Sequence, residues 1–404
     1  MKITNNISFE DTSVAFSSRT DKELRKMHFL FAFMNKSQLT KIGTNFVKTA
    51  LRLKLPIKNL IKNTIFQHFC AGESLKDCEK TIYNLGIFQI KSIPDYSVEA
   101  GSSEENFDVV VNEIISVIEL ASKNELVEFV VFKVTGLCRG DLLEKVQRGA
   151  TLTEKEHGEF NKLKQRMDLI AQKAFEKDIK VLIDAEESWI QSTIDVLVYT
   201  LMAKYNREKA LIFNTFQMYR VDMPHNLQKA LDMAEKGSFY LGVKLVRGAY
   251  LEKERKRAKD FQYSDPIFST KQETDKAFND AIRFCVLNRE RISICLGSHN
   301  EESNLLMLEE MNKFNVQNND SRFFFAQLYG MSDHISFNLA KAGYNVSKYL
   351  PYGPVETVIP YLIRRAEENK SVTGQSSREL TLIEKEIERR KSLENPKFQK
   401  PNSK

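Results

Sequence analysis

The sequence has few of the residues that crosslink a chain or hold a metal ion. Its 404 residues include five cysteines, which are scattered and never spaced as CxxC, and six histidines, which never pair at ligand spacing. An odd, dispersed set of cysteines indicates free thiols in a reducing compartment. We therefore expect neither a disulfide framework nor a zinc site, and we predict a cytoplasmic location.

The sequence also lacks long apolar runs and a strong excess of charged residues of either sign. No stretch approaches the ~18 consecutive apolar residues of a membrane span. The first residues contain Glu10 and Asp11 and lack the apolar core of a signal peptide. The 60 Lys and Arg residues against 54 Asp and Glu give a net charge of +6 without a polybasic block, which argues against nucleic-acid binding. The absence of GxGxxG, GxxxxGKS/T and GxSxG argues against common nucleotide-binding and serine-hydrolase sites.

What the chain does contain is 42% hydrophobic residues, enough for a large core, and a repeated alternation of strand and helix patterns. Residues 1–85 have the apolar spacing of several short helices, which we assign to an N-terminal helical arm. From 86 to 370 short β-branched and aromatic runs alternate with longer amphipathic stretches, and 371–404 is a charged helix with a polar tail. The predicted strands are Ile87–Ile93, Phe129–Val134, Lys180–Asp184, Leu211–Phe216, Tyr240–Val246, Ile292–Leu296, Phe323–Leu328 and Val346–Leu350.

Eight strand patterns, separated by helical patterns such as Glu154–Lys177, Ser192–Lys204 and Lys271–Asn288, indicate an α/β fold. The count is that of a (β/α)8 barrel of the TIM type. A doubly wound open sheet is the alternative, but no strand leads into a GxGxxG turn. The barrel is therefore favoured, and its active site is expected at the carboxyl ends of the strands.

Polar side chains stand at the ends of most predicted strands. Lys133 lies within the apolar run Val-Val-Phe-Lys-Val. A lysine in such a run needs either an anionic partner or a path to solvent. The other residues of this kind are Asp184, Asn214, Gln217, Lys244, Arg247, Ser298, His299, Asn300, Gln327, Lys348 and Tyr349. Each could be an ordinary loop residue by itself, but together they predict a pocket.

The last helix of the barrel has one unusual face. Tyr361, Arg364, Arg365 and Glu368 stand at i, i+3, i+4 and i+7. Two adjacent arginines suit bidentate capture of a carboxylate or phosphate, with Glu368 able to pair with one guanidinium. A solvated helix surface with internal ion pairs is the alternative interpretation.

Three segments resemble the proline dehydrogenase family, and the resemblance covers about residues 86–370. They are Lys244-Leu-Val-Arg-Gly-Ala-Tyr250, Ser298-His-Asn300, and the run from Tyr349-Leu-Pro-Tyr-Gly353 to Tyr361-Leu-Ile-Arg-Arg-Ala-Glu-Glu-Asn369. The helical arm resembles the N-terminal part of the single-function members. The resemblance implies a distorted (β/α)8 barrel that binds FAD noncovalently and oxidises L-proline to Δ1-pyrroline-5-carboxylate, the first step of proline catabolism to glutamate.

The resemblance also implies a role for each matching residue. Asp184 and Lys244 would be catalytic, with Asp184 gating the pocket and Lys244 lying by the flavin. Residues implied to bind the substrate are Lys133, Tyr250, Leu328, Tyr349, Tyr361, Arg364 and Arg365. Residues implied to bind the cofactor are Gln217, Val246, Arg247, Gly248, Ala249, Lys271, Thr274, Ser298, His299, Asn300, Gln327 and Glu368.

The family passes electrons to a membrane quinone, which implies a loose, peripheral association with the inner membrane. The basic patch Lys253-Glu-Arg-Lys-Arg257 would suit lipid phosphates, and a solvated helix face is the alternative. Within the same chemistry, hydroxyproline oxidation is the alternative activity, but relatives that prefer it tend to have a small residue at the position of Tyr349. A catalytically silent barrel that acts as a binding module is the alternative of another class.

Overall fold

The computed structural model of the protein describes residues 7–36, 57–98, 103–371 and 375–394, and it confirms the barrel. The strands are β1 (Ile90–Tyr96), β2 (Phe129–Lys133), β3 (Lys180–Asp184), β4 (Ile212–Gln217), β5 (Leu241–Val246), β6 (Ile292–Gly297), β7 (Phe323–Leu328) and β8 (Val346–Tyr352). All pair in parallel, in the order β1-β8-β7-β6-β5-β4-β3-β2. The barrel closes at Ser92 of β1, whose amide donates to the Leu126 carbonyl at 2.8 Å and whose carbonyl accepts from the Glu128 amide at 3.0 Å.

Helices lie between the strands and at both ends of the chain. They are α1 (Thr12–Ala15), α2 (Asp21–Met34), α3 (Lys58–Ile61), α4 (Gln67–Phe69), α5 (Leu75–Gly86), α6 (Glu104–Ala121), α7 (Gly140–Gln147), α8 (Glu154–Glu176), α9 (Ser188–Tyr205), α10 (Met223–Lys236), α11 (Leu251–Phe261), α12 (Lys271–Leu287), α13 (Glu301–Lys313), α14 (Asp333–Lys341), α15 (Val355–Ser371) and α16 (Gln375–Glu394). Among the helices of the described segments, none is long and apolar enough to cross a membrane.

The sequences of the strands are apolar runs because both faces of each strand are buried. Inside the barrel the Phe129 ring meets Phe213 edge-on, with ring centroids 5.3 Å apart, and Phe324, with centroids 4.9 Å apart. These three rings are almost fully buried together with Leu182 and Cys295. The interior is therefore a packed core, and any site has to lie at one end of the strands.

The first predicted strand was misplaced by three residues at each end. Ile87 is apolar, but it follows the last turn of α5 and is 61% exposed. Gln89, at φ +60°, then turns the chain into β1. The eighth predicted strand ended two residues too early. β8 continues to Tyr352 because Pro351 and Tyr352 pair with residues of β1. The remaining predicted strands agree with the structure to within one residue at each end.

The N-terminal segment and α16 pack against each other beside the barrel. Phe16 and Phe31 of the N-terminal segment are fully buried with Leu382 and Ile383 of α16. Arg390 of α16 donates hydrogen bonds of 2.9 Å to the carbonyls of Phe16 and Arg19. The division into an arm, a barrel and a C-terminal segment at residues 85/86 and 370/371 stays a prediction.

Helices α3 and α4, with the π-helix Lys62–Phe66 between them, pack against α15. Ile61, Phe66 and Phe69 are buried against the apolar side of that helix, which includes Val358 and Leu362. The arm therefore supports the helix that carries Arg364 and Arg365.

We expect Ile383→Ala to lower the free energy of unfolding by about 2–5 kcal/mol, because it removes a fully buried side chain from the contact between α16 and the arm. Leu393→Ala, at a position 63% exposed in the same helix, is the matched control and should cost at most about 0.5 kcal/mol. Denaturant unfolding of the two variants checks this. Equal losses for both would contradict the packing described here.

Candidate active site

Four of the predicted site residues meet at the carboxyl ends of β2, β3, β5 and β8. Asp184 is at their centre: Lys244 Nζ donates to its Oδ1 at 2.6 Å, and the Tyr349 hydroxyl donates to its Oδ2 at 2.8 Å. Lys133 Nζ is 3.7 Å from the same Oδ2, since Lys133 and Asp184 are in register across β2 and β3. Lys244 Nζ also lies 4.5 Å from the centre of the Tyr349 ring.

This arrangement determines the protonation of the group. Burial alone would raise the pKa of Asp184, but Lys244, Lys133 and the hydrogen bonds lower it below its ordinary value. Burial, and then the charge of Asp184, raises the pKa of Tyr349 well above 10. For Lys133, burial is outweighed by Asp95, Asp184 and Glu186, which raise the pKa. At neutral pH the site thus holds an ionised carboxylate, a charged Lys133 and an intact phenol.

The two arginines of α15 act on different parts of the site, Arg364 on Lys133 and Arg365 on His299. Arg364 is exposed, and its positive charge acts on the pKa of Lys133 and of Tyr250. For Tyr250 the main effect is burial, which raises the pKa well above 10. The guanidinium carbon of Arg365 lies 5.2 Å from the centre of the Tyr361 ring. Glu368 lies among the residues of α15 whose side chains the structure does not describe.

Leu328 connects the barrel interior with α15. Its half-buried side chain packs against the interior cluster that contains Tyr349 and against the cluster on α15 that contains Tyr361. Two aromatic rings and one aliphatic side chain therefore form an apolar wall beside the charged residues. Such a wall next to a cationic mouth suits a small ring that carries a carboxylate.

A second group of predicted residues lies beyond β5 and β6. Arg247 donates from Nε to Asp275 at 2.7 Å and from Nη1 to the Ser298 hydroxyl at 3.1 Å. Lys271 pairs with the other oxygen of Asp275. The Asn300 amide donates to the Ser298 hydroxyl at 3.2 Å, and the Asn300 side chain caps α13. Two cations and the starts of α12 and α13 thus lie close together, which suits phosphate groups.

The backbone after β5 is open on one side. Gly248 has φ +147°, and a Cβ at this position would lie 2.4 Å from the Tyr219 ring, so that only glycine fits. Gly248 and Ala249 are exposed, and Val246 is half-buried. The chain here presents bare backbone at the strand end, as a close approach to a ligand requires.

The remaining predicted cofactor residues are spread around this second group. Thr274, one turn into α12, donates to the Thr270 carbonyl at 3.4 Å. His299 Nδ1 lies 2.9 Å from the Ser332 hydroxyl. Burial, together with the charges of Lys348 and Arg365, lowers the pKa of His299 to about 3, so its ring is neutral.

Two predicted cofactor residues make hydrogen bonds inside the protein. Gln217 donates to the Glu186 carbonyl at 2.7 Å, and its Oε1 accepts from the Ala249 amide at 3.0 Å. Gln327 donates to the Ser298 carbonyl at 3.2 Å, and its Oε1 accepts from the Ser336 hydroxyl at 2.9 Å. Both glutamines hold loops of the site in place, and their contact with a cofactor stays a prediction.

Two strand-end residues point away from the mouth. Asn214 donates to Asp195 on α9 at 2.8 Å, and Lys348 pairs with Asp333 at 2.9 Å behind β8. Side chains of successive strand residues alternate between the two faces, so a polar residue at a strand end does not always line the pocket. In the described part of the chain, no group of three or more His, Cys, Asp or Glu residues could hold a metal ion.

Glu186 is a site residue that the sequence did not single out. Its side chain is 3% exposed, and its carboxylate accepts from the Thr135 amide at 2.9 Å and from the Thr135 hydroxyl. Because its carbonyl also accepts from Gln217, which holds Ala249, this residue joins the loops after β2, β3, β4 and β5. The acidic pair Glu186-Glu187, which follows Asp184 after one alanine, was the available signal.

Burial is the main cause that raises the pKa of Glu186 to about 7, against hydrogen bonds from Thr135 and the charge of Lys133. Since 7 lies above the ordinary value of 4.5, the folded protein binds this proton more tightly. The resulting stability is present below pH 4.5 and is lost as the pH rises through 7. Between pH 5 and pH 8, we expect the free energy of unfolding of the wild type to fall by about 2 kcal/mol relative to that of Glu186→Gln. Urea unfolding at both pH values checks this, and a constant difference would contradict it.

The chain is similar to known proteins over most of its length. A family model described as proline dehydrogenase matches residues 78–378. A protein named proline dehydrogenase 1, mitochondrial, from Dictyostelium discoideum is 34% identical over 431 aligned residues, which cover 94% of this chain and 74% of that protein. A hydroxyproline dehydrogenase from Xenopus laevis is 28% identical to this chain. The aligned residues cover 95% of this chain and 90% of that protein.

Among solved structures, proline utilization A (PutA) from Bdellovibrio bacteriovorus, inactivated by N-propargylglycine, aligns with a TM-score of 0.69 at 19% sequence identity. The match covers 89% of this chain and 38% of that longer one, so this chain spans about two fifths of it. That likeness supports the barrel fold. The family model, in turn, extends over most of the sequence and includes every strand. The chain therefore belongs to the proline dehydrogenase family of oxidoreductases.

Proposed function

We propose that this protein oxidises L-proline to Δ1-pyrroline-5-carboxylate with a noncovalently bound FAD, as the first step of proline breakdown to glutamate. The observation that carries the proposal is the buried group of Lys133, Asp184, Lys244 and Tyr349 at the barrel mouth. Arg364 of α15 lies close enough for its charge to act on Lys133. Family membership supports the same chemistry.

In this proposal the carboxylate of proline meets Arg364 and Arg365, with Lys133 as a third cation. Guanidinium groups bind carboxylates through two parallel hydrogen bonds, which orient the ligand as well as attract it. The pyrrolidine ring then packs against Leu328 and Tyr349, which are in register across β7 and β8, with Tyr250 and Tyr361 as the further walls. Orientation of this kind supplies a large part of the rate enhancement in reactions that need a defined approach.

The residues beyond β5 and β6 fit FAD. Gly248 and Ala249 are exposed at the end of β5, so a flat ring system can approach their backbone. Arg247 and Lys271, with the starts of α12 and α13, suit the diphosphate. The residues that would hold the cofactor are Gln217, Val246, Arg247, Gly248, Ala249, Lys271, Thr274, Ser298, His299, Asn300, Gln327 and Glu368. When bound, the flavin supplies the acceptor for the two electrons taken from the substrate.

The catalytic work of Asp184 and Lys244 follows from their pairing. The Asp184 carboxylate fixes the Lys244 ammonium and accepts the proton of the Tyr349 hydroxyl in a hydrogen bond. Lys244 thereby holds positive charge at the end of β5, beside the proposed flavin site, where added negative charge would be stabilised. Asp184 has partners on β5 and β8, and its proposed role in gating the pocket rests on the resemblance.

Hydroxyproline oxidation is the second candidate, because one relative is named hydroxyproline dehydrogenase. The Tyr349 side chain favours proline. It is 7% exposed, and its hydroxyl is held by Asp184 at 2.8 Å and by Lys244 at 3.3 Å, so it cannot swing away from a ring hydroxyl. We therefore prefer proline as the substrate.

We further propose, on the resemblance alone, that electrons pass to a membrane quinone and that the protein associates loosely with the membrane. The cations of the basic patch on α11 are paired with carboxylates of the protein itself. Lys253 pairs with Glu187 at 2.8 Å, Arg255 with Asp265 at 3.2 Å and Arg257 with Glu144 at 2.6 Å. The relative from Dictyostelium is named mitochondrial, and the cytoplasmic location stays a prediction.

The test is an anaerobic titration of the purified protein with L-proline while the absorbance of oxidised flavin is followed. We expect bleaching by proline and weaker bleaching by hydroxyproline. A colourless protein that does not take up added FAD would favour the silent barrel. A yellow protein that neither compound bleaches would overturn the proposed activity.

Arg364→Met should lower kcat/KM for proline about 10- to 100-fold, because it removes charged hydrogen bonds to the carboxylate, while flavin content stays the same. The matched control is Arg283→Met, on the outer helix α12, where the arginine is half exposed and pairs with Asp280. Steady-state kinetics of both variants check this. Equal kinetics for the two variants would contradict the assignment of Arg364.

Tyr349→Ser should raise kcat/KM for hydroxyproline relative to proline about tenfold or more, because it removes a phenol that cannot move away from the ring hydroxyl. The ratio is measured with both substrates on the same flavin-loaded preparation. An unchanged ratio would contradict the role of Tyr349 in selecting the substrate.

A further inference from the structure

A second buried ion-pair group lies behind the barrel mouth, on the outer side of β7 and β8. Lys348 follows the alternation of the strand and points away from the interior that its neighbour Tyr349 enters. Its side chain is fully buried, and its Nζ lies 2.9 Å from Asp333 Oδ1. The other oxygen of Asp333 accepts from Arg19 Nη2 at 3.0 Å. We call Arg19, Asp333 and Lys348 the rear triad.

The rear triad holds the loop of residues 328–333, which joins β7 to α14. Lys348 Nζ donates to the carbonyls of Leu328, at 3.4 Å, and Met331, at 2.5 Å. Two side chains of this loop face the candidate site. Leu328 packs against the clusters of Tyr349 and Tyr361, and the Ser332 hydroxyl lies 2.9 Å from His299 Nδ1. The loop therefore carries parts of both the proposed substrate pocket and the proposed cofactor pocket.

The backbone of this loop needs external support. Ser332 has φ +51°, a conformation that costs free energy for a residue other than glycine. Its amide donates to Glu379 of α16 at 2.5 Å, and the carbonyl of the preceding Met331 accepts from Lys348. A strained turn persists only where its surroundings hold it, and here the buried side chains of Lys348 and Glu379 do so.

The charges of the rear triad are linked to the N-terminal arm. Burial by itself would raise the pKa of Asp333, but Lys348 and Arg19 outweigh it and keep the carboxylate ionised. Arg19 belongs to the segment between α1 and α2, outside the barrel. Because removing one partner of a buried charge leaves the others uncompensated, the loop depends on the position of the arm.

We propose that the rear triad is a positioning group, which sets the affinity for substrate by fixing Leu328 against Tyr349 and Ser332 against His299. The inference rests on the proposed function for the identity of the substrate. None of the three residues is placed in contact with the substrate or the cofactor, so they act through the loop. The N-terminal arm is then part of substrate recognition, although it lies outside the barrel.

Lys348→Met is the first test, since it keeps most of the side-chain volume and removes the donor. We expect KM for proline to rise about tenfold and kcat to change less than about threefold, because the wall of the pocket moves and the reacting groups do not. Lys180→Met is the matched control. Lys180 pairs at 2.7 Å with the buried Glu128 at the opposite end of the barrel, so a general loss of a buried ion pair would lower stability there without changing KM.

Arg19→Met provides a second test that does not depend on the folding of Lys348→Met. Its guanidinium is at the edge of the triad, with 18% of the side chain exposed, and we expect KM to rise in the same direction. Arg19→Lys retains a charge that can reach Asp333 and should restore KM. A purely structural role for Arg19 would instead lower the melting temperature of Arg19→Met with KM unchanged.

Hydrogen exchange at the amides of residues 329–332 measures the loop without any substrate. Faster exchange there in Lys348→Met and Arg19→Met, but not in Lys180→Met, supports the inference together with the KM changes. Unchanged exchange at these amides or an unchanged KM in both triad variants overturns it. If proline does not bleach the wild-type flavin, the proposed function fails, and the exchange measurement still decides whether the triad positions the loop.

Discussion

The buried carboxylate of Asp184 is the interaction on which the mouth of the barrel depends. A charge in this position is stable only when hydrogen bonds and opposite charges replace the water that it has lost. Lys133 of β2, Lys244 of β5 and Tyr349 of β8 supply them. Since each partner comes from a different strand, one side chain fixes the relative position of four strand ends. Tyr349 is held as a rigid wall for the same reason.

The surroundings of this carboxylate come from both ends of the chain. The helix α15 carries Arg364, whose charge acts on Lys133, and α3 and α4 bury the apolar side of this helix. Arg19, from the loop between α1 and α2, completes the charge balance of Asp333 behind β8. The N-terminal arm is therefore more than packing material, because it supports two elements that face the site.

The sequence predicted the strands well, apart from β1, which was misplaced by three residues, and β8, which ends two residues later than predicted. Parallel strands buried on both faces give unbroken apolar runs, which are easy to locate. Ile87 is apolar too, but it belongs to the end of α5, and a turn at Gln89 separates it from β1. The apolar pattern alone does not distinguish an exposed residue at a helix end from the first residue of a strand.

The sequence also located the polar residues at the strand ends. It did not show to which face of the barrel each of their side chains points. Lys133 and Lys348 looked alike, as single lysines within apolar strands. The structure turns Lys133 toward the mouth and Lys348 toward Asp333 behind it. A shift of one residue in a strand moves a side chain to the other face, and strand ends are known from sequence only to within a residue or two. The role of Glu186 was missed for a related reason, because its partners Thr135 and Gln217 are distant in sequence.

The sequence by itself determined the order of strands and helices, the residue types at the strand ends and the two adjacent arginines on one helix face. These follow from local periodicity, which reflects the burial of each element. Only the tertiary structure decided which of these groups meet. Asp184 and its hydrogen-bond donors Lys244 and Tyr349 are 60 and 165 residues apart along the chain. Their contact depends on strand register and barrel closure, which arise from the packing of the whole molecule and leave no trace in any local pattern.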